Sequence, residues 1–176
     1  MAWIRHGHRA FDALARLRQP LIAALNGHAL GGGLELAATG DFRIAEDHVK
    51  LGLPETGIGI IPGWSGTQRV VRRFGSQVTR RMALLGDVFS AEEGKALGLV
   101  DAVVPRGQSL AAAKEMASRI ADRGPLATQA TKILVNAAEG EETERALEAL
   151  AGSVAAGSAE LKSGVAAFRD KRKPNF

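Results

Sequence analysis

The sequence predicts an α/β or α+β protein with its strands in the first hundred residues and a helical C-terminal half. Three observations carry this. Short apolar runs bounded by turn residues, "LIAALNG", "FRIA", "VKLG" and "LVDAVVP", recur between residues 21 and 105. A glycine-rich turn, "GGG" at 31–33, stands between one such run and a helical pattern. From residue 65 onward, most of the chain shows helical spacing with cap signals.

Taken in order, residues 3–18 place Ile4, Phe11, Leu14 and Leu17 on one helical face, and Pro20 ends that helix. "LIAALNG" (21–27) reads as a buried strand stopped by Asn-Gly. The glycines turn the chain into a helix over 33–39, ended by Gly40. "FRIA" (42–45) and "VKLG" (49–52) are short strands, and 53–66 holds too much Gly and Pro for regular structure. Helices over 65–73 and 76–85 break at Gly75. Ser90 and Glu93 form a capping box opening a helix that ends near Gly98. A last strand covers 99–105, and helices follow at 109–122, 125–138 with Pro125 at its first position, 141–156, and from Ala159. The organisation is a strand-bearing part over 1–105 and a helical region over 106–176.

Composition bounds the function. With 176 residues, 45% apolar and 24% charged, the chain is that of one globular domain able to bury a core. No apolar run of about 18 residues is present, which excludes a spanning helix. The N-terminus lacks the uninterrupted apolar stretch of a secretory signal, and its smooth run into the first strand argues against a transit peptide. The cytoplasm is the expected compartment. The absence of cysteine removes disulfides, thiolate metal sites and thiol nucleophiles together. His6, His8, His28 and His48 show no metal-binding spacing, so no metal is expected. A net charge of +4 and a pI near 9.8 favour an anionic partner. The 5% aromatic content, without tyrosine, is poor for base stacking and turns the expectation from nucleic acid to a small molecule.

Strand, glycine turn and helix point main-chain N–H groups at one spot. That spot can hold a phosphate, serve as an oxyanion hole, or simply let helix and strand pack closely. Neither the P-loop nor the dinucleotide-binding pattern is present. Glu35 has Gly31, Gly32, Ala38 and Thr39 at helical neighbour positions, all small, so it faces a tight interface or a cavity. Glu55, in "GLPETGIGIIPG", is the one charge between Lys50 and Arg69. It either hydrogen-bonds its own loop or acts beside Glu35. Two carboxylates in apolar settings plus an N–H turn are the parts of a proton-transfer site beside a carbonyl.

The run "PLIAALNGHALGGGLELAATGDFRIAEDHVKLGLPETGIGIIPGWSGTQRVVRRFG", continued by "ALLGDVFSAEEGKALGLVDAVVP" and "AAFRDKRKPNF", resembles the enoyl-CoA hydratase/isomerase (crotonase) family from Pro20 onward. The resemblance implies a ββα spiral with a helical C-terminal trimerisation region, and a homotrimer or hexamer. It implies that Gly32 offers its N–H to a thioester oxygen. Glu35 would activate water for attack at C3, and Glu55 would deliver a proton at C2. Substrate contact would extend to Gly31, Gly33, Pro54, Gly63, Trp64 and Lys171. Relatives that only shift a double bond generally lack one glutamate, so the pair implies hydration of a trans-2-enoyl-CoA, with coenzyme A as part of the substrate and no separate cofactor. The basic tail Lys171, Arg172 and Lys173 reads either as a solvated helix end or as a contact for CoA phosphates.

Two departures from the family pattern follow. Trp64 and Ser65 stand where small residues are common, which would reshape the acyl pocket. Family members also carry roughly another third of chain before the point matching Met1, including the second oxyanion donor, whose loss typically costs about 10²–10³ in rate. The expectation is an N-terminally truncated hydratase. The rival readings are another crotonase chemistry such as isomerisation, and a non-catalytic assembly subunit.

Overall fold

The computed structural model describes residues 2–141, 154 and 156–174. They form two compact units divided between Gln129 and Ala130. In chain order the first unit contains α1 (Ala2–Ala15), β1 (Ile22–Leu25), β2 (Ala29–Leu30), α2 (Gly32–Ala37), β3 (Phe42–Glu46) and β4 (Lys50–Gly52). A 3₁₀ turn (Pro54–Ile58), α3 (Gly66–Phe74) and α4 (Ser76–Arg80) follow, the last running on as a π-helical turn (Arg81–Leu85). Then come β5 (Val88–Ser90), α5 (Ala91–Ala96), β6 (Ala102–Val104) and α6 (Ser109–Ala121). α7 (Pro125–Ala138) runs across the division, and α8 (Ala159–Arg169) lies in the second unit.

The chain winds so that successive strand pairs feed two different sheets. β1, β3 and β6 form one parallel sheet, with Ile22 opposite Phe42 and Ile44 opposite Ala102. β2, β4 and β5 form the other, β2 parallel and β5 antiparallel to β4. A strand for each sheet and then a helix is one repeat, traced first by β1, β2 and α2. The next repeat, β3 and β4, reaches its helix through the 3₁₀ turn. Leu34 and Ala38 from the α2 segment meet Leu51, Leu53, Val70, Met82, Phe89 and Leu99 in one apolar core. Each fully buried leucine there contributes about 1.5–3 kcal/mol.

Two polar side chains fasten this core. Arg43 is buried in β3 and donates Nε–H to the Leu99 carbonyl at 2.8 Å. Its Nη1 reaches the Gly40 carbonyl at 2.7 Å, an acceptor shared with Arg73 at 3.0 Å. The guanidinium also lies over the Phe74 ring, 4.8 Å from the centroid. At the end of β3, Glu46 accepts the Ser109 hydroxyl at 2.8 Å, which ties the start of α6 to the sheet. α1 is held by a salt bridge from Asp12 to buried Arg69 of α3, at 2.8 Å.

Several sequence expectations are met. The capping box of Ser90 and Glu93 is complete, the break at Gly75 is present, and α6 and α7 start where expected. The differences have local causes. β2 and β5 are two and three residues long, too short to show alternation. Residues 54–58 take up a 3₁₀ turn because Pro54 presets the first φ. Leu17 lies past the end of α1 and is exposed rather than on its apolar face. Of the helix expected over 141–156, only 141, 154 and 156 lie among the described residues.

In the second unit, the Ser158 hydroxyl caps α8 by accepting the Leu161 N–H at 3.2 Å. Past its end, Lys171 adopts a left-handed conformation with φ 50°.

Replacing Arg43 with Met keeps most of its apolar stem but leaves the Leu99 carbonyl without that donor. We expect a loss of about 1–3 kcal/mol, read as a lower midpoint in urea unfolding.

Candidate active site

The site begins with the turn between β2 and α2. Gly31 has φ 55° and ψ −126°, a conformation that a side chain would not tolerate. Its N–H donates to the Gly52 carbonyl at 2.9 Å, anchoring the turn to β4. Its carbonyl accepts the N–H groups of Leu34 and Glu35 at 2.8 and 3.0 Å, which starts the helix. The main-chain N–H groups of Gly32 and Gly33 make no hydrogen bond among the described residues. They are free donors in the same first helical turn that carries Glu35.

Glu35 is 2% exposed. Its Oε1 accepts two main-chain N–H groups, from Trp64 at 2.8 Å and Gly66 at 3.0 Å. Gly66 opens α3, so the carboxylate sits at a helix N-terminus, where negative charge is favoured. The approach is so close that a Cβ on Gly66 would overlap Cγ and Oε1 of Glu35. Sequence reasoning gave Glu35 a tight interface or a cavity. The tight interface with the Trp64–Gly66 backbone is present.

Glu55 reaches the same turn. It is the second residue of the 3₁₀ turn, which is pinned where the Thr56 hydroxyl donates to the Ala83 carbonyl at 2.8 Å. The side chain is 8% exposed, and neither oxygen has a hydrogen-bond partner among the described residues. Its Oε1 lies 3.0 Å from the position a Cβ on Gly31 would take. It accepts no hydrogen bond from the glycine backbone of its loop among the described residues. Burial pushes the Glu55 carboxyl above the usual carboxylate range; its own main-chain N–H opposes this, and the nearby Glu35 charge adds to it.

Trp64 supplies the apolar wall. A Cβ on Gly32 would lie 2.8 Å from the indole Cζ3. The ring meets Trp3 and Phe11 of α1 edge-on, each with centroids 5.3 Å apart, and it rests against Gly7. Its Nε1 is buried without an acceptor among the described residues.

The first unit thus brings together Glu35, Glu55, Gly31, Gly32 and Trp64. Pro54 is exposed at the start of the 3₁₀ turn, and Gly63 is half-buried beside Trp64. Gly33 has, among the described residues, the His28 carbonyl near its Cβ position, at 3.8 Å. Lys171 is exposed in the second unit, past the end of α8. Sequence reasoning missed Gly66, Gly7, Trp3 and Phe11 as parts of the site. The signal for Gly7 and Phe11 was their spacing of four on an amphipathic helix. Among the described residues no cluster of three or more side chains could hold a metal ion.

A methyl group added at residue 66 would have to push the Glu35 carboxylate off its two donors. Gly66→Ala is expected to cost about 1–3 kcal/mol and to lower Tm, which calorimetry would measure. Glu55 yields a pH signature. Its folded pKa is raised, so its contribution to stability is complete below the unfolded carboxylate range and is lost as pH rises through the folded value. Glu55→Gln removes that loss. The variant should melt above the parent at pH 7 and show no such gain near pH 4, outcomes that paired thermal scans would check.

The enoyl-CoA hydratase/isomerase family model matches residues 5–176. The chain is 40% identical to a crotonyl-CoA hydratase of Syntrophomonas wolfei, over 97% of this chain and 66% of that protein. Among solved structures it superimposes on DspI of Pseudomonas aeruginosa with a TM-score of 0.78 and 34% identity, covering 99% of this chain and 68% of that one. An enoyl-CoA hydratase from Bacillus anthracis gives 0.75 and 37%, covering 98% and 68%. The chain thus spans about two thirds of the length of the relatives it matches. With a match along nearly its whole length, and strand pairs winding into two sheets around a glycine turn, this chain belongs to the enoyl-CoA hydratase/isomerase family and has the crotonase fold.

Proposed function

We propose that the chain carries an enoyl-CoA hydratase site, adding water to a trans-2-enoyl-CoA to give the 3-hydroxyacyl-CoA. The observation that carries this reading is Glu55, a buried carboxyl without a partner and with a raised pKa, facing the same glycine turn as Glu35. Carboxyls in such different settings divide the work of acid and base.

In this reading the Gly32 N–H receives the thioester oxygen and stabilises the negative charge that develops there. Both lone-pair directions of Glu35 Oε1 are taken by main-chain donors, so its Oε2 is the atom left to accept a proton from water. The water oxygen bonds to C3 while Glu55, in its acid form, gives its proton to C2. Passage of one proton from Glu35 to Glu55 restores the pair. Water and substrate supply every atom, and no separate cofactor takes part. Lys171 is proposed to contact CoA phosphate. The proposal includes self-association as a homotrimer or hexamer. It is supported by the exposed Ile58, Ile61, Leu84 and Leu85 on segments joined by the Thr56–Ala83 bond.

The test is crotonyl-CoA hydration by the purified 176-residue chain, followed as loss of the conjugated enoyl absorbance. Glu35→Gln and Glu55→Gln should each lower the rate about 10²–10⁴-fold. A folded parent without turnover, or parent and variants with equal rates, would sink the reading. Native mass measurement of the same sample checks the oligomer.

A further inference from the structure

Trp64 is bound in a way that the proposed chemistry does not use. Its indole edge stands on Gly32, so closely that a Cβ there would lie 2.8 Å from Cζ3. The other faces of the ring meet α1. Trp3 and Phe11 contact it edge-on, and Gly7 is the position where that helix brings bare backbone to the ring. If Gly32 receives a thioester oxygen, the carbons attached to that carbonyl must enter beside Gly32, where the indole now sits. Two large groups cannot share that volume.

The side chain is also poorly satisfied in this seat. Its Nε1 is buried with no acceptor among the described residues. Ser65, the next residue, has φ 65°, one of two non-glycine residues with positive φ among those described. Such strain persists where surrounding contacts enforce it. The Trp64 backbone, by contrast, is fixed through its N–H to Glu35. The ring can therefore rotate about the side-chain bonds without disturbing the carboxylate that its main chain holds.

Resting on the hydratase reading, we propose that Trp64 is an aromatic gate whose indole occupies the acyl seat and is displaced by the acyl group of the substrate. The seat is made of the rings of Trp3 and Phe11 and the bare main chain at Gly7 and Gly32. Those surfaces suit a flat, apolar enoyl group. Chain length is then set by how far the indole moves, which makes residue 64 the specificity determinant.

The sequence holds two tryptophans, so Trp3→Phe leaves Trp64 as the single fluorophore. Titrating that variant with CoA, crotonyl-CoA and trans-2-octenoyl-CoA reads the seat directly. Saturable change in indole emission is expected with the thioesters and not with CoA alone. In the otherwise unaltered chain, Trp64→Ala should raise the kcat/KM ratio of octenoyl-CoA over crotonyl-CoA by about tenfold or more, mostly through KM. Trp64→Phe, which keeps a ring against Trp3 and Phe11, should fall between and serves if the alanine variant does not fold. Turnover in the parent with unchanged emission, or with one ratio in all three proteins, overturns the gate and leaves the hydratase reading standing. Unchanged emission together with no turnover removes both.

Discussion

One carboxylate oxygen organises this molecule. Oε1 of Glu35 accepts the N–H of Trp64 and of Gly66, two main-chain donors 29 and 31 positions further along the chain. α2 has only six residues, too few to be stable alone. It is held by burial of Leu34 and Ala38 and by this pair of bonds. The same bonds mark where α3 begins and bring the apolar segment before it to the glycine turn. A break there would detach a helix, a loop and a buried carboxylate together, so the local structure rests on one atom.

The two glutamates are held on different terms. Glu35 is fixed by donors, whereas Glu55 is fixed by what surrounds it and has no partner among the described residues. A buried polar group without a partner costs about 1–3 kcal/mol. The 3₁₀ turn keeps Glu55 in place because its flanks are well anchored: Leu53 is fully buried, and Thr56 bonds the Ala83 carbonyl. The cost is local, and neighbouring core contacts offset it. The two carboxyls thus differ in what holds them even though both are buried.

Much of this was legible in the amino-acid order. β1, β3 and β4 announced themselves as short apolar runs, and Glu35 and Glu55 stood out as charges in apolar company. What stayed hidden depended on distant partners. Nothing in "FRIA" reveals that Arg43 is buried against the carbonyls of Gly40 and Leu99. The first helix showed an apolar face, but not what the face covers. Gly7 has no meaning until Trp64, 57 positions later, lies against it. β2 takes its direction from pairing with β4 rather than from its own two residues. The helical π turn at Arg81–Leu85 shares its sequence pattern with an ordinary helix, so periodicity extended α4 through it.

The donors that clasp Glu35 belong to the backbone, and backbone donors are the same whatever side chain they carry. Position 64 can therefore change from one residue type to another while the carboxylate stays fastened. Position 66 has no such liberty, because its missing side chain is what admits the carboxylate. Within three consecutive residues the fold separates a position open to replacement from one where a side chain would displace the carboxylate. If residue 64 sets acyl preference as proposed, a lineage built this way diversifies its diet by single replacements there without rebuilding the clasp on Glu35.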